Sequence, residues 1–179
     1  MPVVSRARRI HAHIPLAILA LVLARPSPIA NLVGTGVVLA GIALRVWAAG
    51  VLRKGGGLCT GGPYRIVRHP LYAGSLVAAL GFSIMMNVVW AWVLVFPLFV
   101  VLYAGQVLAE ERDLRARYGE AHREWAQRVP MLLPTRPAAP GRGREWRMSQ
   151  VLANREHYHA AVTLALAALF HVKAHGGWW

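Results

Sequence analysis

Five side chains with polar or aromatic chemistry crowd into GPYRIVRHPLYAGS, Gly62 to Ser75: Tyr64, Arg65, Arg68, His69 and Tyr72. An imidazole exchanges protons near neutral pH, a guanidinium presents a planar fork to an oxyanion, and a phenol ring offers its face to a cation. Further along, EERDLRARYGEAHREWAQRVPMLLP opens with Glu110 and Glu111 beside mostly apolar sequence. A carboxylate pair at the end of an apolar run is costly unless it meets a partner or a polar ligand. Arg68 and His69 are the partners we expect, which would assemble acid–base and ion-binding groups from two separate segments.

The elements that must position these groups are apolar. Of 179 residues, 56% are hydrophobic and 15% charged, against about 25% charged in ordinary globular domains, and the mean hydropathy is +0.43. This composition predicts an integral membrane protein. A formal charge of +13 would suit nucleic acid, yet no basic-aromatic module is visible, so the charge is assigned to anionic headgroups and topology and no nucleic-acid partner is expected. Residues 9–24 and 29–52 flank RPSP, whose prolines make a tight connection between two helices. Residues 70–86 and 88–109 meet at MMNVVW, where Asn87 caps the turn. A last segment, 150–173, has a short apolar centre and either crosses or lies at the interface. The basic start and first apolar segment lack a small-x-small cleavage site and read as a retained helix. The expected fold class is all-α, a polytopic membrane helical bundle with four to five transmembrane helices. Its expected parts are a core over 1–134, a basic Pro/Gly linker over 135–148 and a C-terminal helix over 149–179.

Charge sets the orientation. Arg6, Arg8 and Arg9 precede the first span; Arg53, Lys54, Arg65 and Arg68 follow the second; nine arginines lie between Arg112 and Arg147. With two spans between successive clusters, all three fall on one face, which the positive-inside rule makes cytoplasmic. The expected location is a cell inner membrane, with the basic loops and the active site facing the cytoplasm. KGGGLCTGG, Lys54 to Gly62, permits close backbone contact with a ligand, and Pro70 suits a helix's first turn. Arg45 lies about 10 Å inside the second span at 1.5 Å per residue, and an arginine at that depth marks a functional site. Cys59, the single cysteine, excludes an internal disulfide and reads as a small packed residue. His171 and His175 share a helical face without a third ligand, so no metal is expected.

The ordered set R-H-P-x-Y-x-G, then E-E-x-x-L, then aromatic-Gly-x-x-aromatic-x-x-aromatic before a proline resembles the isoprenylcysteine carboxyl methyltransferase and phospholipid methyltransferase superfamily. It is carried by GPYRIVRHPLYAG, EERDL and YGEAHREWAQRVPMLLP. The first two elements match at every fixed position; in the third, His122 and Trp125 replace tyrosines. LRVWAAGVL resembles the arginine-bearing helix that precedes the motif in bacterial members, and the resemblance covers about 29–134. It implies a small multi-span helical enzyme using S-adenosyl-L-methionine with no Rossmann domain, and no G-x-G-x-x-G follows a strand here. Carried over by position, the cofactor contacts Gly56, Gly57, Leu58, Cys59, Tyr64, His69, Pro70, Leu71, Tyr72 and Glu110. A sulfonium favours aromatic faces and carboxylates, and backbone amides of a glycine-rich approach suit the cofactor's own carboxylate.

The resemblance further implies a methyltransferase whose catalytic residues are Arg68, His69 and Glu111. A carboxylate acceptor reacts as it stands, whereas a protonated amine, thiol or phenol must lose a proton, to Glu111 or His69. In the isoprenylcysteine branch an arginine four residues before the glutamate pair holds the substrate carboxylate; Gln106 stands there in this chain. Arg45 is the replacement anchor, making Arg45 and Gln106 the expected substrate-binding residues. The expected acceptor is lipophilic, a prenylcysteine-like carboxylate or a lipid amine, a small molecule or a lipidated one, met among membrane lipids. Two other readings stay open. One is an NADPH-dependent membrane reductase, since sterol reductases carry a similar R-H-x-x-Y-x-G element; the other is a non-catalytic lipid-binding membrane protein.

Overall fold

The computed structural model describes residues 21–53, 55–140 and 145–176. Most of the expected first span, with Arg6, Arg8 and Arg9, lies outside them, as does Lys54. Among the described residues the structure is helical and contains no strand.

Each apolar helix starts where its sequence carries a start signal. Ser27 is extended and accepts a hydrogen bond from the Ala30 N–H at 3.2 Å, and Pro28, which has no N–H to satisfy, opens α1, Pro28–Val51. Pro70 does the same for α2, Pro70–Met86. That helix ends at Asn87 in the left-handed region, φ 51°, a conformation asparagine tolerates. The Asn87 amide donates to the Arg25 carbonyl at 3.1 Å, and the Arg25 N–H donates to the Met86 carbonyl at 2.9 Å. RPSP and MMNVVW are therefore tied together at one end of the bundle. A π-helical turn, Ala91–Val95, leads into α3, Phe96–Arg128; α4, Met148–Ala153, and α5, Glu156–His175, follow.

Helices α1 and α2 approach through backbone. A Cβ at Gly41 would lie 2.6 Å from the Gly74 carbonyl oxygen, and one at Gly81 would lie 2.7 Å from that of Gly34. Only glycine permits this contact, which sets α2 at a fixed height along α1. Beyond it, Val38, Met85, Met86 and Phe170 form a core near the Asn87 end, while Ala48, Val51, Tyr64, Trp125 and Val129 form another at the opposite end.

Helix α5 runs antiparallel along α1 rather than lying across its end. Asn154 donates to the Ala49 and Leu52 carbonyls, both at 2.8 Å, which satisfies orphan acceptors where α1 stops. Thr35 Oγ1 and His171 Nε2 lie 2.9 Å apart, and Asn31 Nδ2 donates to the Phe170 carbonyl at 3.1 Å. Lys173 donates to the Leu21 and Val22 carbonyls at 2.7 and 2.9 Å, closing the preceding helix end. The described parts of the Pro/Gly segment are also docked. Arg65 Nε donates to the Ala139 carbonyl at 2.6 Å and receives the Ala139 N–H on its own carbonyl at 2.9 Å, and the Trp146 ring fills the space over Gly50.

Among the described residues, two helical stretches, Pro28–Val51 and Ala91–Arg128, are long and apolar enough to cross a membrane, and α2 is a shorter apolar helix. The π-helical turn and the apolar half of α3 turn Val93, Leu94, Leu98, Val101 and Leu102 outward. A helix apolar around its circumference with so little packed on it suits hydrocarbon surroundings.

Candidate functional site

The loop before α2 and the chain leaving α3 are pinned to each other. The Arg68 N–H donates to the Pro130 carbonyl at 2.8 Å and the His69 N–H to Met131 at 3.1 Å. Arg68 Nη1 donates to the Ala126 and Val129 carbonyls at 3.0 and 2.7 Å, capping the last turn of α3. Beneath, the Trp125 indole N–H donates to the Tyr64 carbonyl at 3.2 Å. Gly119 makes this return possible: at φ 48° and ψ −118° it breaks the helical path, so the segment from Glu120 to Arg128 folds back. A side chain is strained in that region of backbone space.

Glu111 sits at the centre. Arg68 meets its carboxylate with both edges of the fork, Nε to Oε1 at 2.9 Å and Nη2 to Oε2 at 3.0 Å, and His69 Nε2 lies 2.7 Å from Oε1. An ionised carboxylate only accepts, so Nε2 of His69 carries the proton and Nδ1 is the nitrogen left over. The expected trio Arg68, His69 and Glu111 is thus joined directly across the two segments. His122 is fully buried with Nε2 3.6 Å from Glu111 Oε2, and neither ring nitrogen makes a hydrogen bond.

The residues expected to meet the cofactor lie in different surroundings. The Tyr72 ring meets His69 edge-on at 5.8 Å and Tyr103 at 5.6 Å, and Tyr103 stacks on Phe99 at 4.2 Å. An aromatic row therefore leads from the polar cluster into the apolar half of α3. Glu110, one position from Glu111, is exposed. Tyr64 is buried, and burial first, then the charges of Cys59 and Glu110, push its phenol above the usual range. Gly56 and Gly57 are exposed, Leu58 packs against the core around Trp125, and Pro70 and Leu71 begin α2. Cys59 is buried with Sγ 3.9 Å from the Val51 carbonyl, the packed position its sequence context suggests.

The two expected substrate residues do not meet. Arg45 binds the Glu156 carboxylate with Nε and Nη2 at 2.5 and 2.9 Å, and its Nη1 donates to Ser75 Oγ at 2.5 Å and to the Leu71 carbonyl at 3.1 Å. The acid on Arg45 is the protein's own, supplied by α5. Gln106 lies partly exposed on α3, and no hydrogen bond or ion pair joins it to Arg45. Sequence reasoning passed over Tyr103, Ser75 and the pairing of Glu156. The last was open to the argument used for Glu110 and Glu111, since a carboxylate opening an apolar helix needs a partner.

A cavity of about 430 Å³ opens between α2, the start of α3 and the chain after it, with a wholly apolar lining that includes Ile66, Val67, Leu80, Val100 and Leu133. Ile66 and Val67 directly precede Arg68 and His69, so the loop that carries two members of the polar cluster also lines the cavity.

Residues 29–121 match the family described as phospholipid methyltransferase. Among curated relatives, the chain is 33% identical over 92 residues to the cobalt-zinc-cadmium resistance protein CzcN of Cupriavidus metallidurans, covering 50% of this chain and 42% of that protein. It is 39% identical over 74 residues to methanethiol S-methyltransferase 1 of Bradyrhizobium diazoefficiens, covering 41% of this chain and 25% of the relative. With protein-S-isoprenylcysteine O-methyltransferase B of Arabidopsis thaliana it shares 37% identity over 79 residues, 43% of this chain and 39% of the relative. The chain thus spans less than half the length of each. No solved structure matches.

Proposed function

The chain belongs to the phospholipid methyltransferase family, and from that premise we propose that it is a membrane enzyme transferring a methyl group from S-adenosyl-L-methionine to a lipophilic acceptor. The observation that carries this reading is a single loop that lines a wholly apolar cavity and then supplies a charge-satisfied polar cluster. Ile66 and Val67 line the cavity, and the next two residues bind Glu111. An acceptor with a hydrocarbon body and a polar reacting end fits such an arrangement. A thiol, as the name of one relative says of its substrate, a carboxylate or an amine would each serve as that end.

The residues present suit the cofactor by their chemistry. Tyr72 and Tyr103 offer aromatic faces, Glu110 offers an exposed carboxylate, and a Cβ at Gly55 or Gly57 would meet nothing within 4 Å, so the approach loop leaves room beside its backbone. When bound, the sulfonium supplies an activated methyl group. The protein's part is to align the acceptor and exclude water. Arg68 holds Glu111 as a fixed anion, and Glu111 holds His69 with its Nε2 proton committed. Nδ1 of His69 then accepts a proton from an acceptor that carries one. Glu111, with three donors already on it, serves as the orienting anion.

The same reading places four or five helices across a cell inner membrane with the site on the cytoplasmic side. Arg53, Arg65, Arg68 and the arginines of α3 lie at the end of the bundle opposite Arg25 and Asn87, as the positive-inside rule requires. The test is ligand-dependent melting followed by product identification. S-Adenosylhomocysteine should raise the melting temperature, and membrane lipid extract with methyl-labelled cofactor should yield a labelled lipophilic product by mass spectrometry. Stabilisation by NADPH instead would assign a reductase, and stabilisation by neither would assign a non-catalytic lipid-binding protein.

A further inference from the structure

Among the described residues, His122 is the side chain beside Glu111 whose bonding capacity is unused. Among the described residues its two ring nitrogens are buried and make no hydrogen bond. Buried imidazoles without any partner are rare, because a neutral ring brings one donor and one acceptor that water would otherwise satisfy. The nearest ionic group is Glu111 Oε2, 3.6 Å from Nε2. Of the two carboxylate oxygens, Oε1 receives Arg68 and His69, while Oε2 receives Arg68 alone. An open acceptor site therefore faces an unused donor.

The backbone is bent to produce this pairing. Eleven positions separate Glu111 from His122, about 16 Å along a straight helix, and the reversal at Gly119 brings their side chains to 3.6 Å. Trp125 meets the ring edge-on at 5.9 Å, and the ring is fully buried, so its nearest ionic group is the carboxylate and not solvent.

We propose that His122 is a positioning residue: by closing the 3.6 Å gap and donating from Nε2 to Glu111 Oε2, it holds the carboxylate in register and so keeps His69 in the tautomer that leaves Nδ1 for the acceptor's proton. This rests on the methyltransferase reading and concerns how the same site handles protons. The charged and titratable groups facing the cluster are Arg68 and His69 from the loop, Tyr72 from the first turn of α2, and Glu111 and His122 from α3. His122 touches neither acceptor nor cofactor and acts through Glu111.

The test uses the full chain in detergent micelles with ¹⁵N-labelled histidine, following the His69 ring nitrogens against pH in wild type, H122F and H122Q. Wild type should show the Nε2–H tautomer in neutral His69. In H122F the protonation midpoint of His69 should rise by about half a unit or more, since a carboxylate short of one donor holds the shared proton more tightly. H122Q, which keeps an N–H donor, should retain the wild-type midpoint. An unchanged His69 midpoint and tautomer in H122F would overturn the proposal, as would H122Q shifting as far as H122F. If H122F does not fold, H122M makes the same comparison. Melting with S-adenosylhomocysteine runs in parallel: a wild type left unstabilised would overturn the methyltransferase reading, while the ring measurement still decides His122.

Discussion

Glu110 and Glu111 are adjacent, yet successive helix positions point about 100° apart, so one carboxylate is exposed and the other is enclosed by Arg68 and His69. Their substitutions should separate cleanly. Glu111→Gln leaves the Arg68 charge unmatched where that side chain is only 10% exposed, and breaking such a pair costs about 3 kcal/mol, read as a marked drop in melting temperature. Glu110→Gln should leave melting unchanged and weaken S-adenosylhomocysteine binding by about tenfold in calorimetry, the effect of one hydrogen bond to a charged group. Equal melting loss in both variants would mean that Glu110 is also structural.

At the scale of helices, Arg45 fastens three of them: α1 carries it, α2 offers Ser75 and the Leu71 carbonyl, and α5 offers Glu156. Arg45→Met should cost about 3 kcal/mol by leaving Glu156 buried and unpaired, and the double variant Arg45→Met with Glu156→Met should recover most of that. If Arg45 also anchors an acidic acceptor, the double variant will be stable yet show a raised acceptor KM; a normal KM confines Arg45 to fastening helices. Gly119→Ala tests the fold-back of α3. Forcing a side chain into φ 48° should cost about 1–3 kcal/mol, although a Cβ there meets nothing within 4 Å. A variant as stable as wild type would show that the bend survives without glycine.

For the molecule as a whole, the bundle places Arg25, Ser27 and Asn87 at one end and Gly57, Glu111 and Arg128 at the other. In a Cys59→Ala background, cysteines at Gly57 and Arg128 should be labelled from the cytoplasmic face and a cysteine at Ser27 from the opposite face. Labelling of Gly57 and Arg128 from different faces would break the proposed topology. The helical class, the two turns and the union of Arg68, His69 and Glu111 were legible because each rests on local chemistry: prolines and Ser27 start helices, Asn87 tolerates positive φ, and a buried carboxylate needs a cation.

Which groups had to be polar partners follows from the residues in chain order, since apolar runs leave charged residues few places to go and the R-H-P and E-E elements each demand a counterpart. Chain order also determined where chain direction changes, because proline, glycine and asparagine act on their own backbone. Which partner each charge took came from the packing of the helices. Arg45 read as an anchor for an acceptor's acid, and its acid proved to be Glu156, 111 positions away. His122 read as a substituted tyrosine, and the Gly119 bend set it against Glu111. The physical reason is the same in both cases: an ion pair or hydrogen bond is settled within a few ångströms, and packing between helices, not spacing along the chain, sets distances on that scale.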